Sequence, residues 1–324
     1  MAASPRHRAP VRFVQVWLVA VALLAGHARS AGAGCWTADS ASVWSSLRPR
    51  RLALLGGAGL GMHYAGFRYF DKAWYQGEKQ DHIRWIADWS GETYLNLDKA
   101  GHFMSGMVMS QSLQDGLTWG GLPRCLSAIL GTAVSWGVML EIEMKDAYYN
   151  HWGFSIPDFA ANTTGATVPL LHALVPATQV LQFKMSYHPS RLYLDRQERR
   201  ADDRPHVDAL IDDYEGMTLW AALQLDRLLP ARAAARWPDC LGIAAGYGAT
   251  GLHGANVKSK GPNKYYRDLP DAEPELFLAL DYDTRALPGS SPLWRAVKTR
   301  LNWIHWPAPA VRLRPSLRLY LLYL

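Results

Sequence analysis

The chain has 324 residues, room for one large or two ordinary domains with a real core, and its 49% hydrophobic and 19% charged content excludes a disordered polymer. The net charge of +6 includes Arg6, Arg8 and Arg12, and losing those three leaves about +3, which excludes a nucleic-acid footprint. Fourteen tryptophans and fifteen tyrosines supply rings that fill cores and also gather at membrane–water boundaries, so a membrane or envelope lipid remains a partner class.

Residues 1–30 read as an export signal: a positive stretch "MAASPRHRAPVR", a fourteen-residue apolar run "FVQVWLVAVALLAG", then small residues. Fourteen helical residues reach roughly 21 Å against the ~30 Å of a bilayer core, which favours a cleaved signal over an anchor. "GAGC" ending at Cys35 is a weak lipidation box, with Gly32 where a larger aliphatic residue is usual. Three cysteines (Cys35, Cys125, Cys240) show no metal spacing; Cys125 and Cys240 either pair or stay as buried thiols. Residues 31–50 form a polar linker.

A helical bundle domain is expected over 51–190. Its first helix candidate, 51–67, is glycine-rich but out of register with a dinucleotide-binding loop, so close helix packing is the better reading. Residues 71–85 read as a surface helix or an interfacial segment. Three more helices are expected, over 99–118, over 123–147 from Pro123, and from Ser155–Pro157 onward, where Pro169 should kink or end the last. The apolar run 126–140 is about 22 Å long as a helix, again short of a span. Residues 191–237 read as a charged linker and a helix, with 207–229 helical at its ends and broken at Gly216. Strand signals occupy 238–324, at 241–252, 274–287 and 311–324. Leu276, Leu278, Leu280 and Tyr282 alternate there with Phe277, Ala279, Asp281 and Asp283. The fold class is therefore mainly α: a bundle of about four helices with a C-terminal β-rich segment (α+β), whose three or four strands make a small sheet packed on the bundle or part of an oligomeric barrel.

Helical spacing puts Lys99, His102 and Gly106 on one face, Glu143 and Asp146 at the end of the next helix, and Asp158, Asn162 and Gly165 on a third. The short connectors "WGGLP" and "NHWGFS" make successive helices antiparallel, which brings these ends, with Asp98, to one end of the bundle. Asp98, Glu143, Asp146 and Asp158 against Lys99 leave −3 with His102 neutral, a costly sum in a partly dry site. Raised carboxylate pKa values, a protonated His102, a bound divalent cation such as Mg²⁺ or Ca²⁺, or exposure to water would each answer it. Each residue also has a bland reading: Asp98 as a helix N-cap, Ser155 with Asp158 as a capping box, Glu143 and Asp146 as a solvated helix end.

The pattern Asp98-Lys99-x-x-His102-Phe103, then Glu143-x-x-Asp146, then Trp152-Gly-Phe-Ser155-x-x-Asp158-x-x-x-Asn162-x-x-Gly165 resembles the YfiM-like bacterial envelope proteins, a family of unknown function described as predicted periplasmic lipoproteins. "FKMSYHPS", "DYEGMTLW", "GYGATG" and "PAPAVRL" extend the likeness over roughly 70–324, and the Asp-Lys-x-x-His and Asp-x-x-x-Asn-x-x-Gly elements are separately similar to VanZ-like membrane proteins. The resemblance implies an exported, periplasmic or membrane-associated protein and supplies no reaction. Two functions follow as expectations. One is a non-catalytic envelope protein whose cluster is structural or binds a cation, lipid headgroup or partner. The other is a hydrolase or transferase on an envelope lipid or glycan, with His102 as general base and Glu143, Asp146 and Asp158 as acids or metal ligands.

Overall fold

The computed structural model describes residues 46–75, 77, 79–149, 152–194, 210–253 and 270–324. The export signal, most of the 31–50 linker and the Cys35 lipidation box lie outside them. Four long helices lead: α1 (Pro49–Ala73), α2 (Leu97–Trp119), α3 (Arg124–Asp146) and α4 (Ile156–Leu174). Proline opens α1 where no helical N–H is needed, Pro123 precedes α3, and Ser155 Oγ caps α4 by accepting from the Asp158 N–H at 3.2 Å. The α2–α3 turn passes through Gly121 at φ +96°, a conformation that side chains resist. Pro169 does not end α4, which continues to Leu174; Pro169 is buried, so packing offsets its missing hydrogen bond. Short helical turns and one further helix, α5 (Pro292–Leu301), bring the total above the expected four.

Helices α2, α3 and α4 pack on one another at glycine contacts. A Cβ at Gly165 would lie 1.9 Å from the Phe103 carbonyl oxygen, one at Gly106 2.7 Å from the Asn162 oxygen, and one at Gly131 2.8 Å from the Gln114 nitrogen. By contrast, α1 is about 37 Å long and has no buried residue. It is pinned at its ends, by Arg48 N–H to the Gly120 carbonyl at 2.9 Å and by a Lys145–Asp71 ion pair. Among the described residues, α3 is the one helix long and apolar enough to cross a membrane. In the segment expected as a surface helix or interfacial stretch, 71–73 end α1 and the other described residues are mostly irregular, until Trp85–Ile86 (β1) pairs in parallel with Phe154–Ser155 (β2).

The β-rich part is larger than expected: six antiparallel strands in chain order, β3 (Leu181–Tyr187), β4 (Met217–Leu223), β5 (Leu241–Thr250), β6 (Glu273–Tyr282), β7 (Ala308–Arg314) and β8 (Arg318–Tyr323). The stretch 207–229, expected to be helical at its ends and broken at Gly216, holds only short helical turns among its described residues, and β4 follows Gly216. Thr218, Trp220 and Ala222 face inward there while Met217, Leu219, Ala221 and Leu223 face the other way. Apolar residues on both sides hide that period of two. The sheet is not a closed barrel among the described residues, since β3 and β8 do not pair. Instead β3 meets the segment before β7, with Met185 N–H donating to the Trp303 carbonyl at 2.9 Å and His305 N–H to the Met185 carbonyl at 3.1 Å. Helices α2 and α4 sit on the outer face of β3 and β4, where Met104, Met107 and Val168 meet Phe183, Met185 and Leu219. The sheet's other face encloses Trp220, Phe277 and Ala279, with His305 stacked on Trp220 at 3.9 Å and a fully buried Lys184–Asp281 ion pair at 2.7 Å.

Candidate functional site

The chain enters α2 through an unusual turn. Tyr94, Leu95 and Asn96 all have φ near +50° to +64°, three consecutive non-glycine residues in the left-handed region, each costing on the order of 1 kcal/mol. The helix begins at Leu97, so Asp98 is its second residue and not its N-cap. The Asp98 carboxylate instead accepts from the Lys99 backbone N–H at 2.9 Å and from Lys99 Nζ at 2.8 Å.

Lys99 is the hub. Its ammonium also donates to Asp88 and lies 3.2 Å from Asp158 Oδ1. Burial would lower its pKa, but the Asp158 and Asp98 charges overcome it and hold the lysine protonated well above its usual range. Asp88 comes from the stretch after β1. Burial pushes its carboxyl up, yet Lys99 and the Ser155 hydroxyl, which donates to Asp88 Oδ1 at 2.8 Å, keep it below the ordinary value. Ser155 therefore both caps α4 and braces the site, and Asp158, although in the capping position, turns its carboxylate to Lys99 and His102.

One turn further in, Asn162 Nδ2 donates to Glu143 Oε1 at 2.9 Å. That leaves Asn162 Oδ1 to accept from His102 Nδ1 at 3.1 Å. This assignment places a proton on Nδ1, and Nε2 lies 3.9 Å from Asp158 Oδ2. Glu143 Oε1 is also 3.5 Å from His102 Nδ1, and Glu143 Oε2 accepts from the Ser155 N–H at 3.3 Å. One nitrogen or oxygen each from His102, Glu143 and Asp158 lie within 4.8 Å of one another, ligands drawn from α2, α3 and α4. The His102 side chain is 23% exposed and that of Glu143 only 1%, so the site has an open rim and a buried floor.

Burial, reinforced by the Asp158 and Asp146 charges, pushes the Glu143 carboxyl from its ordinary 4.5 up to about 9. Burial also raises Asp98, with Asp158 beside it, and Asp146 to about 6 each. At neutral pH Glu143 thus holds a proton, Asp88, Asp98 and Asp158 surround Lys99, and Asp146 adds a fourth negative charge nearby. The sum is again −3, with different members from those the sequence proposed. Asp146 stands to one side, its Oδ1 accepting from the Tyr75 hydroxyl at 2.5 Å. Sequence reasoning missed Asp88 and Tyr75. Neither lies on a helix facing the cluster, and a lone aspartate in "IADWSGETY" carries no periodic signal.

Of the expected residues, Asp98, Lys99, His102, Glu143, Asp158 and Asn162 form one connected group, with Asp146 linked to it electrostatically. The Cys125–Cys240 pairing does not form: Cys240 is a free thiol and Cys125 is disulfide-bonded. No curated protein and no solved structure matches the chain. Residues 85–173, a little over a quarter of the chain, match the family model described as "Predicted periplasmic lipoprotein (DUF2279)". This supports a family of unknown function and agrees with an exported, periplasmic or membrane-associated location, and the matched stretch runs from β1 through α4 and holds every member of the cluster except Tyr75.

Proposed function

We propose that the protein is a bacterial envelope protein whose three-helix unit binds a divalent cation through His102, Glu143 and Asp158, at a membrane whose lipids are its neighbours. The observation that carries this reading is the convergence of three ligand atoms from three helices within 4.8 Å. Three features support it. The cluster holds an excess of negative charge that a cation would neutralise. Asn162 orients the histidine by accepting from its Nδ1–H, as outer-shell partners of metal-bound histidines do. Glu143 keeps a proton only because of its surroundings, and a cation would displace it. Lys99 serves the neighbouring Asp88, Asp98 and Asp158 and leaves the His102 side open.

The test is titration calorimetry of the purified protein with Mg²⁺, Ca²⁺, Mn²⁺ and Zn²⁺ beside elemental analysis. One of these ions should bind at one site, with proton release, and His102→Ala should weaken it by about 10–100-fold. No binding of any of them, or binding indifferent to His102, overturns the reading. A second reading has one observation of its own: a protonated Glu143 lies 3.5 Å from the His102 ring, an acid beside a base. That pair suits a hydrolase or transferase acting on an envelope lipid or glycan. Turnover of such a substrate, lost in His102→Ala and Glu143→Gln while the fold persists, would favour it.

A further inference from the structure

The sheet encloses small and aromatic residues together with an ion pair, and turns its leucines outward. Across β5–β8 the outward row Ala245, Leu278, Val311 and Leu319 stands side by side, while the inward row is Ala244, Ala279, Ala310 and Tyr320. Leu278, Leu319 and Leu321 are 52%, 78% and 89% exposed, yet Lys184 and Asp281 are completely buried on the opposite face. A sheet in water places its leucines inward and its ion pairs outward; strands whose surroundings are hydrocarbon do the opposite. Helices α2 and α4 cover the outer side of β3 and β4, and the start of α2 reaches Tyr247 of β5.

We propose that the outer face of β5–β8 seats on an anionic phospholipid bilayer, lying on it and not crossing it. Two observations fix the occupant and the depth. The β7–β8 hairpin tip carries Leu317, 75% exposed, between exposed Arg314 and Arg318, an apolar tip flanked by cations that suits a phosphate headgroup layer. The outer edge of β8 is unpaired among the described residues, and unpaired backbone groups are not tolerated in the hydrocarbon interior. The strand therefore stays at the hydrated interface while its leucines dip about 5–10 Å inward, as in other proteins that lie on membranes. This seat is independent of the cation site.

Spin labels at Leu278→Cys and Leu321→Cys, each in a Cys240→Ser background of the full chain, test it. With vesicles of phosphatidylethanolamine and phosphatidylglycerol, both labels should gain collisions with oxygen and lose access to a water-soluble nickel chelate. Arg314→Glu with Arg318→Glu should weaken vesicle binding roughly tenfold or more while the circular dichroism spectrum is unchanged. Three results overturn the proposal: nickel access unchanged by vesicles, labels already shielded and dipolar-broadened without lipid (a second copy covering the face), or labels at the depth of the bilayer centre. The label readings are indifferent to whether the N-terminal segment also holds the protein to the membrane.

Discussion

Glu143→Gln isolates the most perturbed carboxyl of the cluster. Its folded pKa of about 9 lies above its ordinary 4.5, so between these values the folded state binds one proton more than the unfolded chain. Stability then declines as pH rises through that window, by roughly 1–2 kcal/mol per unit, or about 3 kcal/mol between about pH 6 and about pH 8. Glutamine cannot ionise, so the variant loses that slope. Its carbonyl can keep the 2.9 Å contact with Asn162, but its NH2 group then meets the Ser155 N–H where a carboxyl oxygen accepted before, a pH-independent offset on the order of 1 kcal/mol. Urea unfolding of both proteins across the window, in the presence of a chelator, gives the two slopes. Asp98 and Asp146, each raised to about 6, titrate in both proteins, so the difference between the curves belongs to Glu143. Parallel curves would refute the argument: Glu143 would then be ionised in the folded protein and the cluster more charged than described.

Lys99→Met removes the cation that Asp88, Asp98 and Asp158 share, and a loss of about 3–5 kcal/mol is expected near neutral pH, shrinking as acid protonates the orphaned carboxylates; an equal loss at about pH 5 in urea unfolding would contradict this. Gly165→Ala should cost about 3 kcal/mol or more, because its methyl would meet the Phe103 backbone at 1.9 Å, whereas Gly137→Ala, with nothing within 4 Å, should be neutral or stabilising by up to about 1 kcal/mol. Thermal melts of the pair check both. Alkylation of the urea-unfolded, unreduced protein followed by peptide mass spectrometry should modify Cys240 and spare Cys125 until a reductant is added.

The three-helix unit was legible because its evidence is local. Polar residues spaced at three and four, with short connectors, leave few ways to arrange α2, α3 and α4, and Lys99, His102, Glu143, Asp158 and Asn162 meet as that spacing requires. Asp98 shows the limit of local reading: the helix starts two residues earlier than a capping aspartate would allow, because the left-handed turn before it feeds the chain in at Leu97. Asp88 was invisible because its place is set by two residues of parallel pairing between β1 and β2, remote in sequence. The first two strands of the sheet were missed for a different reason. Lys184 and Ser186 point into the sheet's enclosed side and Phe183 and Met185 toward the helices, so a rule that seeks polar residues outside reads β3 as bundle.

The turn at Tyr94–Asn96 has a consequence for how the molecule comes apart. Tyr247, in the middle of β5, donates its hydroxyl to the Leu95 carbonyl at 2.5 Å, and Leu97 packs with Leu192, Ala249 and Leu252. The first turn of α2 is thereby moored to the sheet, and it cannot fray as helix ends ordinarily do without a strand letting go. Amide protons around Lys99 and His102 should exchange in step with those of β5, and not with the far end of their own helix at Trp119. The cluster thus sits at the seam between the protein's two halves, and its persistence measures whether they are still one cooperative body.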